Sequence, residues 1–217
     1  MKYVLIATVV LSILAFRAVA AYEEPVFAVL SEHDGYEIRQ YEPYLIAEVD
    51  VSGDLKRAGN DAFKILAGYI FGDNDQSKKM NMTAPVTSVD TQTSVKMNMT
   101  APVTATANGG ERFIYAFVME RAYTQDTLPQ PRDSRIRIRQ VDGKTMAVRR
   151  YSGSWSEAKY RKNEQRLLEA LSADGVTIIG EPVFARYNGP FTPGFLRRNE
   201  VLVEVPRTQT EVEASNM

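Results

Sequence analysis

The sequence predicts an α+β fold: a distorted antiparallel β-barrel or curved sheet of two pseudo-repeats, flanked by two α-helices. Three observations carry this expectation. Strand-like alternation recurs through most of the chain, two helical stretches lie about a hundred residues apart, and both are entered the same way. "DVSGD" at Asp50–Asp54 leads into the first helix and "RYSGS" at Arg150–Ser154 into the second. With 217 residues and 44% apolar content, the chain can bury a core of its own.

The elements follow in order. Lys2, the uncharged run Tyr3–Phe16 and the small residues Ala18–Ala20 have the layout of a secretory signal peptide over residues 1–20. As a helix, the fourteen-residue run would span roughly 21 Å, short of a ~30 Å hydrocarbon core. Cleavage is therefore expected, no stable membrane span should remain afterwards, and the compartment should be the periplasm or the outside of the cell. Arg17, between the run and the cleavage site, keeps an uncleaved membrane anchor as the alternative. The domain is expected over residues 22–206, and residues 207–217 form a flexible tail without periodicity.

"GYEIRQYEPYLIAEVDVSG" alternates around Ile38, breaks at Pro43 and resumes with Leu45, Ala47 and Val49 on one face, as two antiparallel strands would. Leu55, Ala58, Ala62, Ile65, Leu66 and Tyr69 then fall at helical spacing, ended by Gly72 and Asn74. "RFIYAFVME" (Arg112–Glu120) is apolar on both faces and reads as a central strand. "DTLPQPRDS" is a loop, and "RIRIRQV" and "EVLVEV" alternate strictly as one-sided strands. A second helix is expected from about Glu157 to Ala173, with Ser154 and Glu157 spaced as a capping box.

One run appears twice: "KMNMTAPVT" at Lys79–Thr87 and again at Lys96–Thr104, holding four of the chain's eight methionines. Extended, each copy puts its two methionines and the alanine on one face, and the proline assigns the place to an edge or bulge. With "SVDTQTS" between them, the copies suit a hairpin with Met82 and Met99 on one side. Such methionines can be pliable core filler, a deformable wall for a flat apolar ligand, or a Cu(I) site through thioether sulfur.

Composition removes several functions. There is no cysteine, so disulfides, thiolate metal sites and Cys nucleophiles are absent, and no Gly-x-Ser-x-Gly elbow occurs. A single histidine, His33, leaves little for acid–base or metal chemistry, so no enzyme and no metal centre is expected. Without Lys2 and Arg17 the chain has 24 basic against 27 acidic residues, and no basic stripe points to nucleic acid.

"KMNMTAPVT", "YEIRQYEP", "NEQRLLEAL" and "ARYNGPFTPGFLRRNEVLVEV" together resemble the SOUL haem-binding protein family, whose core motif reads Lys-Ile-x-Met-Thr-Ala-Pro-Val. The resemblance spans about Pro25–Val205 and includes the second, degenerate motif copy that bacterial-type members carry. It implies a two-repeat barrel with two helices and weak, non-covalent binding of haem or a related tetrapyrrole without turnover. It also implies a site: an apolar groove beside the first helix, for which Asn60, Phe63, Lys64 and Ala67 on the helix's exposed stripe are the candidates, Lys64 toward a propionate. The axial histidine proposed for the haem-ligating member that the family is named after matches Gln40, a poor iron ligand, which leaves Tyr41, Met82 and Met99 as further candidates. His33 lies in a polar turn by this reading. Similarity of two-repeat folds to effector-binding domains of multidrug regulators keeps other amphipathic small molecules as the alternative ligand class. Protein partners are not indicated.

Overall fold

The computed structural model describes residues 22–53, 55–90, 112–189 and 191–207. The expected signal peptide, the second motif copy with Met99, and the tail from residue 208 lie outside the described residues. The elements are β1 (Phe27–His33), β2 (Tyr36–Tyr41), β3 (Tyr44–Ser52), α1 (Leu55–Ile70), β4 (Val86–Asp90) and β5 (Arg112–Val118). They continue with β6 (Arg137–Val141), β7 (Thr145–Tyr151), α2 (Glu157–Ala173), β8 (Val183–Arg186), a 3-10 turn at Gly194–Leu196, and β9 (Asn199–Glu204).

The strands form one curled antiparallel sheet in the order β1-β2-β7-β9-β8-β4-β5-β3-β6. Each repeat contributes strand, helix, strand, strand: β3-α1-β4-β5 and β7-α2-β8-β9. The strand that precedes each repeat crosses to the other one, because β2 pairs with β7 and β6 pairs with β3. The registers match: Ile38 faces Ala147 as Ile138 faces Ala47, pairs that differ by one hundred in each number. Gly53 and Gly153 keep the same offset and the same backbone, both at φ 128°. An L side chain rarely adopts that conformation, so the shared Ser-Gly turn is a steric requirement at both helix entrances.

Both helices lie on one face of the sheet. In α1, Ala58, Ala62, Leu66 and Ile70 recur every fourth residue and are buried with Tyr69 against Ala47, Val49, Phe113, Tyr115 and Phe117. Three small residues, Ala58, Ala62 and Ala47, let helix and sheet approach closely. Tyr160, Leu167 and Leu171 of α2 pack likewise on Ile38, Ala147, Phe184, Val201 and Val203. A Schellman closure ends α2, with the Val176 amide donating to Leu171 O at 2.8 Å.

The opposite face is apolar in patches and carries one buried charge network. Glu200, fully buried, accepts from Arg39 at 3.1 Å, Arg198 at 3.0 Å and the Tyr187 hydroxyl at 2.6 Å. Glu37 and Glu24 neutralise the outer sides of the two arginines.

Five local expectations are corrected. The N-cap of α2 is Ser156 without a side-chain cap bond, and the Ser154 hydroxyl meets the Ser156 hydroxyl at 3.4 Å, so no capping box forms. Pro85 does not mark an edge: it immediately precedes β4, which pairs with β5 on one side and β8 on the other. Its missing amide is harmless there because the ladder begins one residue later. Ser88, Val89 and Asp90, expected in the connection after the first motif copy, belong to that strand. β9 is buried on both faces rather than one, since the Glu200 side is closed by arginine and tyrosine partners. His33 ends β1 and stacks on Tyr36, with ring centroids 4.5 Å apart, one residue ahead of the turn at Asp34–Gly35.

Candidate ligand-binding cleft

Between α1 and the segment leading into α2, the described residues leave a cleft on the helix-bearing face over the middle of the sheet. The resulting cleft holds about 280 Å³. Gly59, Asn60 and Phe63 of α1 form one wall, the first motif copy contributes Met82, Thr83 and Ala84, and Trp155 with Tyr187, Asn188 and Gly189 form the facing wall. Val86, Tyr115 and Arg186 make the floor from β4, β5 and β8, and Tyr22 stands at the rim.

The local sequence accounts for these positions. Asn60 and Phe63 are three apart on α1 and share a stripe beside the buried one. Phe63 is 43% exposed, its ring edge-on to Phe117 at 5.6 Å, so it is anchored at one end and open at the other. The motif copy borders the cleft ahead of β4: Met80 is buried, Met82 half-buried, and both pack against the α1 core. Thr83 fixes this run by donating its hydroxyl to Val118 O, and the Ala84 amide donates to Glu23 O at 2.9 Å. Trp155 is held by its indole N–H, which donates to Asn199 Oδ1 at 2.9 Å.

Electrostatically the cleft is singular. Arg186 is the only Asp, Glu, Lys, Arg or His among the described lining residues. Its guanidinium lies 4.9 Å from the Phe184 ring and 5.4 Å from the Trp155 ring. Burial pulls its pKa below the usual arginine value, partly countered by Tyr115. Arg197 covers Trp155 from 4.1 Å.

Of the residues expected from sequence, the structure brings Asn60, Phe63 and Met82 together in this cleft. Lys64 is exposed but does not line it, because one further residue turns the side chain about 100° around the helix. Ala67 is not on an exposed stripe: it is 7% exposed, its short side chain covered by its surroundings. Tyr41 lies on the other face, where it accepts from Arg39 at 3.3 Å and lines a separate hollow of about 290 Å³ with Tyr44, Ile46 and Leu202. Gln40 is engaged with Thr145 at 2.8 Å and with its neighbour's carbonyl, and neither it nor His33 lines the cleft. Sequence reasoning missed Trp155, Tyr187 and Arg186. The one signal was "VFAR", where alternation puts Arg186 on the same face as Phe184, a charge on a helix-covered surface.

The comparisons agree with this architecture. The pattern of the SOUL heme-binding proteins matches residues 22–204. Heme-binding protein 2 of Mus musculus is 29% identical over 181 residues, covering 82% of this chain and 81% of the mouse protein. Heme-binding protein 2 of Homo sapiens is 30% identical over 158 residues, 71% of each chain. Among solved structures, the EcmrR C-terminal domain superposes with a TM-score of 0.57 at 8% identity, covering 80% of this chain and 98% of that one. A hydrolase from Listeria innocua gives 0.51 at 11% identity, over 81% and 94%. At such identities the likeness is one of fold.

Proposed function

Because the chain belongs to the SOUL heme-binding protein family, we propose that it is a non-catalytic binder of haem or a related tetrapyrrole, serving as carrier, buffer or scavenger, with the cleft beside α1 as its site. The observation that carries the reading is the convergence of Phe63, Met82 and Trp155 on one opening whose floor, among the described residues, holds a single charged residue. A flat apolar ring system fits such walls: aromatic faces for stacking, a thioether that repacks at little cost, and no described carboxylate to repel an anionic edge. At about 280 Å³ the cleft is near the lower limit for sites that enclose a drug-sized ligand, so a macrocycle would be gripped over part of its surface. Affinity then comes mainly from burial of apolar area at about 25 cal/mol per Å², reduced by the cost of association.

Bound haem would supply only its own iron chemistry. The chain's residues bind and orient the ring, and no histidine lines the cleft among the described residues. Titration of the purified protein with hemin, followed at the Soret band, should give a saturable shift. Phe63→Ala should weaken binding by on the order of 1–3 kcal/mol, while His33→Ala leaves affinity and spectrum unchanged. Absence of a saturable shift would remove the reading.

The function is placed in an exported compartment on the strength of Lys2, Tyr3–Phe16 and Ala18–Ala20. Intact mass of protein from the native host should correspond to a chain beginning near Ala21. A mass retaining residues 1–20 would make the segment an anchor.

A further inference from the structure

Among the described residues, two buried side-chain polar atoms find no hydrogen-bond partner, Arg186 Nε and the Tyr151 hydroxyl. Both belong to one neighbourhood. Tyr151 stacks on Phe184 with centroids 6.2 Å apart, the Arg186 guanidinium lies 4.9 Å from the same ring, and each of the two groups shifts the other's ionisation. Two other arginines of the fold, buried Arg39 and half-buried Arg198, have carboxylates: Arg39 has Glu37 and Glu200, Arg198 has Glu24 and Glu200. Among the described residues, Arg186 forms no ion pair and no carboxylate lines the cleft it faces.

An arginine taken out of water without a counter-charge is costly, and ring contacts and the Tyr115 hydroxyl offset only part of that cost. An incoming anion would supply what is missing. Guanidinium is the cationic group suited to this, since its planar fork accepts a carboxylate through two parallel N–H bonds and stays charged when desolvated.

We propose that Arg186 is a carboxylate-receiving subsite on the cleft floor, so that the ligand class is a flat apolar molecule bearing a free acid group. The subsite deepens the tetrapyrrole reading and rests on it: the rings of Phe63 and Trp155 take the apolar body, and Arg186 takes the acid edge. It replaces Lys64, which the helix turns away from the cleft, as the anionic contact.

Metal-free protoporphyrin IX and its dimethyl ester share the ring and differ in the acid groups, so their comparison isolates the anchor from iron ligation. Wild-type protein should bind the diacid roughly tenfold or more tightly than the diester, as charge-assisted hydrogen bonds imply. Arg186→Gln should abolish that preference, weakening the diacid about tenfold more than the diester, and Lys64→Gln, outside the cleft, should keep it. Equal wild-type affinity for diacid and diester overturns the proposal even if the Arg186 variant does not fold. So does a preference that survives Arg186→Gln or disappears in Lys64→Gln. If neither porphyrin binds, the tetrapyrrole reading fails, and pyrenebutyrate against pyrenebutanol, followed by pyrene fluorescence, decides the anchor separately. An Arg186-dependent preference for the acid upholds the subsite, and its absence ends it.

Discussion

Glu200 shows how much a single residue can hold. It sits on a central strand with no exposure, and its two oxygens take hydrogen bonds from two guanidinium groups and a phenol. Removing one member of such a cluster leaves like charges facing each other out of water, Arg39 being only 3% exposed. Glu200→Ala should therefore cost about 3–5 kcal/mol, measurable as a lowered urea midpoint. A loss below about 1 kcal/mol would mean that Glu37 and Glu24 suffice for the two arginines. The contrast with Arg186 is instructive: one buried arginine is saturated with acceptors inside the fold, the other faces a cleft and is not.

At the scale of elements, the two helix entrances are equivalent in backbone and unequal in surroundings. Gly53 and Gly153 both have φ 128°, so alanine at either should cost on the order of 1–3 kcal/mol through backbone strain alone. A Cβ on Gly153 would also meet the Lys159 ammonium, but that is the far end of a flexible side chain and can move aside. The two substitutions should thus lower the thermal midpoint by similar amounts. A neutral result at either turn would show that its glycine is not conformationally required. The helices differ in what they leave open: α1 buries one stripe in the sheet and presents the next to the cleft, while Tyr160, Leu167 and Leu171 of α2 go into the sheet.

For the molecule as a whole, the swapped strands bind the repeats into one sheet, and that sheet buries many phenols. Burial raises the pKa of Tyr41 to about 12, and raises those of Tyr69, Tyr151, Tyr160 and Tyr187 as well, the last two further through Glu164 and Glu200. Unfolded, these groups ionise near 10. Below pH 10 both states hold the protons and stability is unaffected. Above it the unfolded chain releases protons that the fold retains, so stability falls as pH rises through 10 toward 12. Denaturation midpoints measured at increasing pH should be flat up to about 9 and then drop, because unfolding releases the protons that the buried phenols retain. Midpoints that stay flat up to about pH 12 would place these phenols in water.

What the sequence by itself determined is what depends on short-range pattern. The two helices appear where apolar residues recur at helical spacing, α2 over Glu157–Ala173 as expected, and β2, β3 and β5 where alternation or a two-sided apolar run demands them. The duplication is legible because each repeat must turn into its helix through the same glycine. Tertiary structure decided everything that depends on which faces meet. Ile138 and Ala47 become partners only because the strands ahead of the repeats exchange, and β9 is two-sided only because Arg39 and Arg198 close over Glu200. Of the candidate site, Asn60 and Phe63 were legible from one helix stripe and Met82 from its motif. Trp155, Tyr187 and Arg186 come from the distant second repeat, where only the alternation of "VFAR" marks one of them, Arg186. The cleft exists because two helices on one curled sheet leave a gap between them, and a gap has no sequence signature.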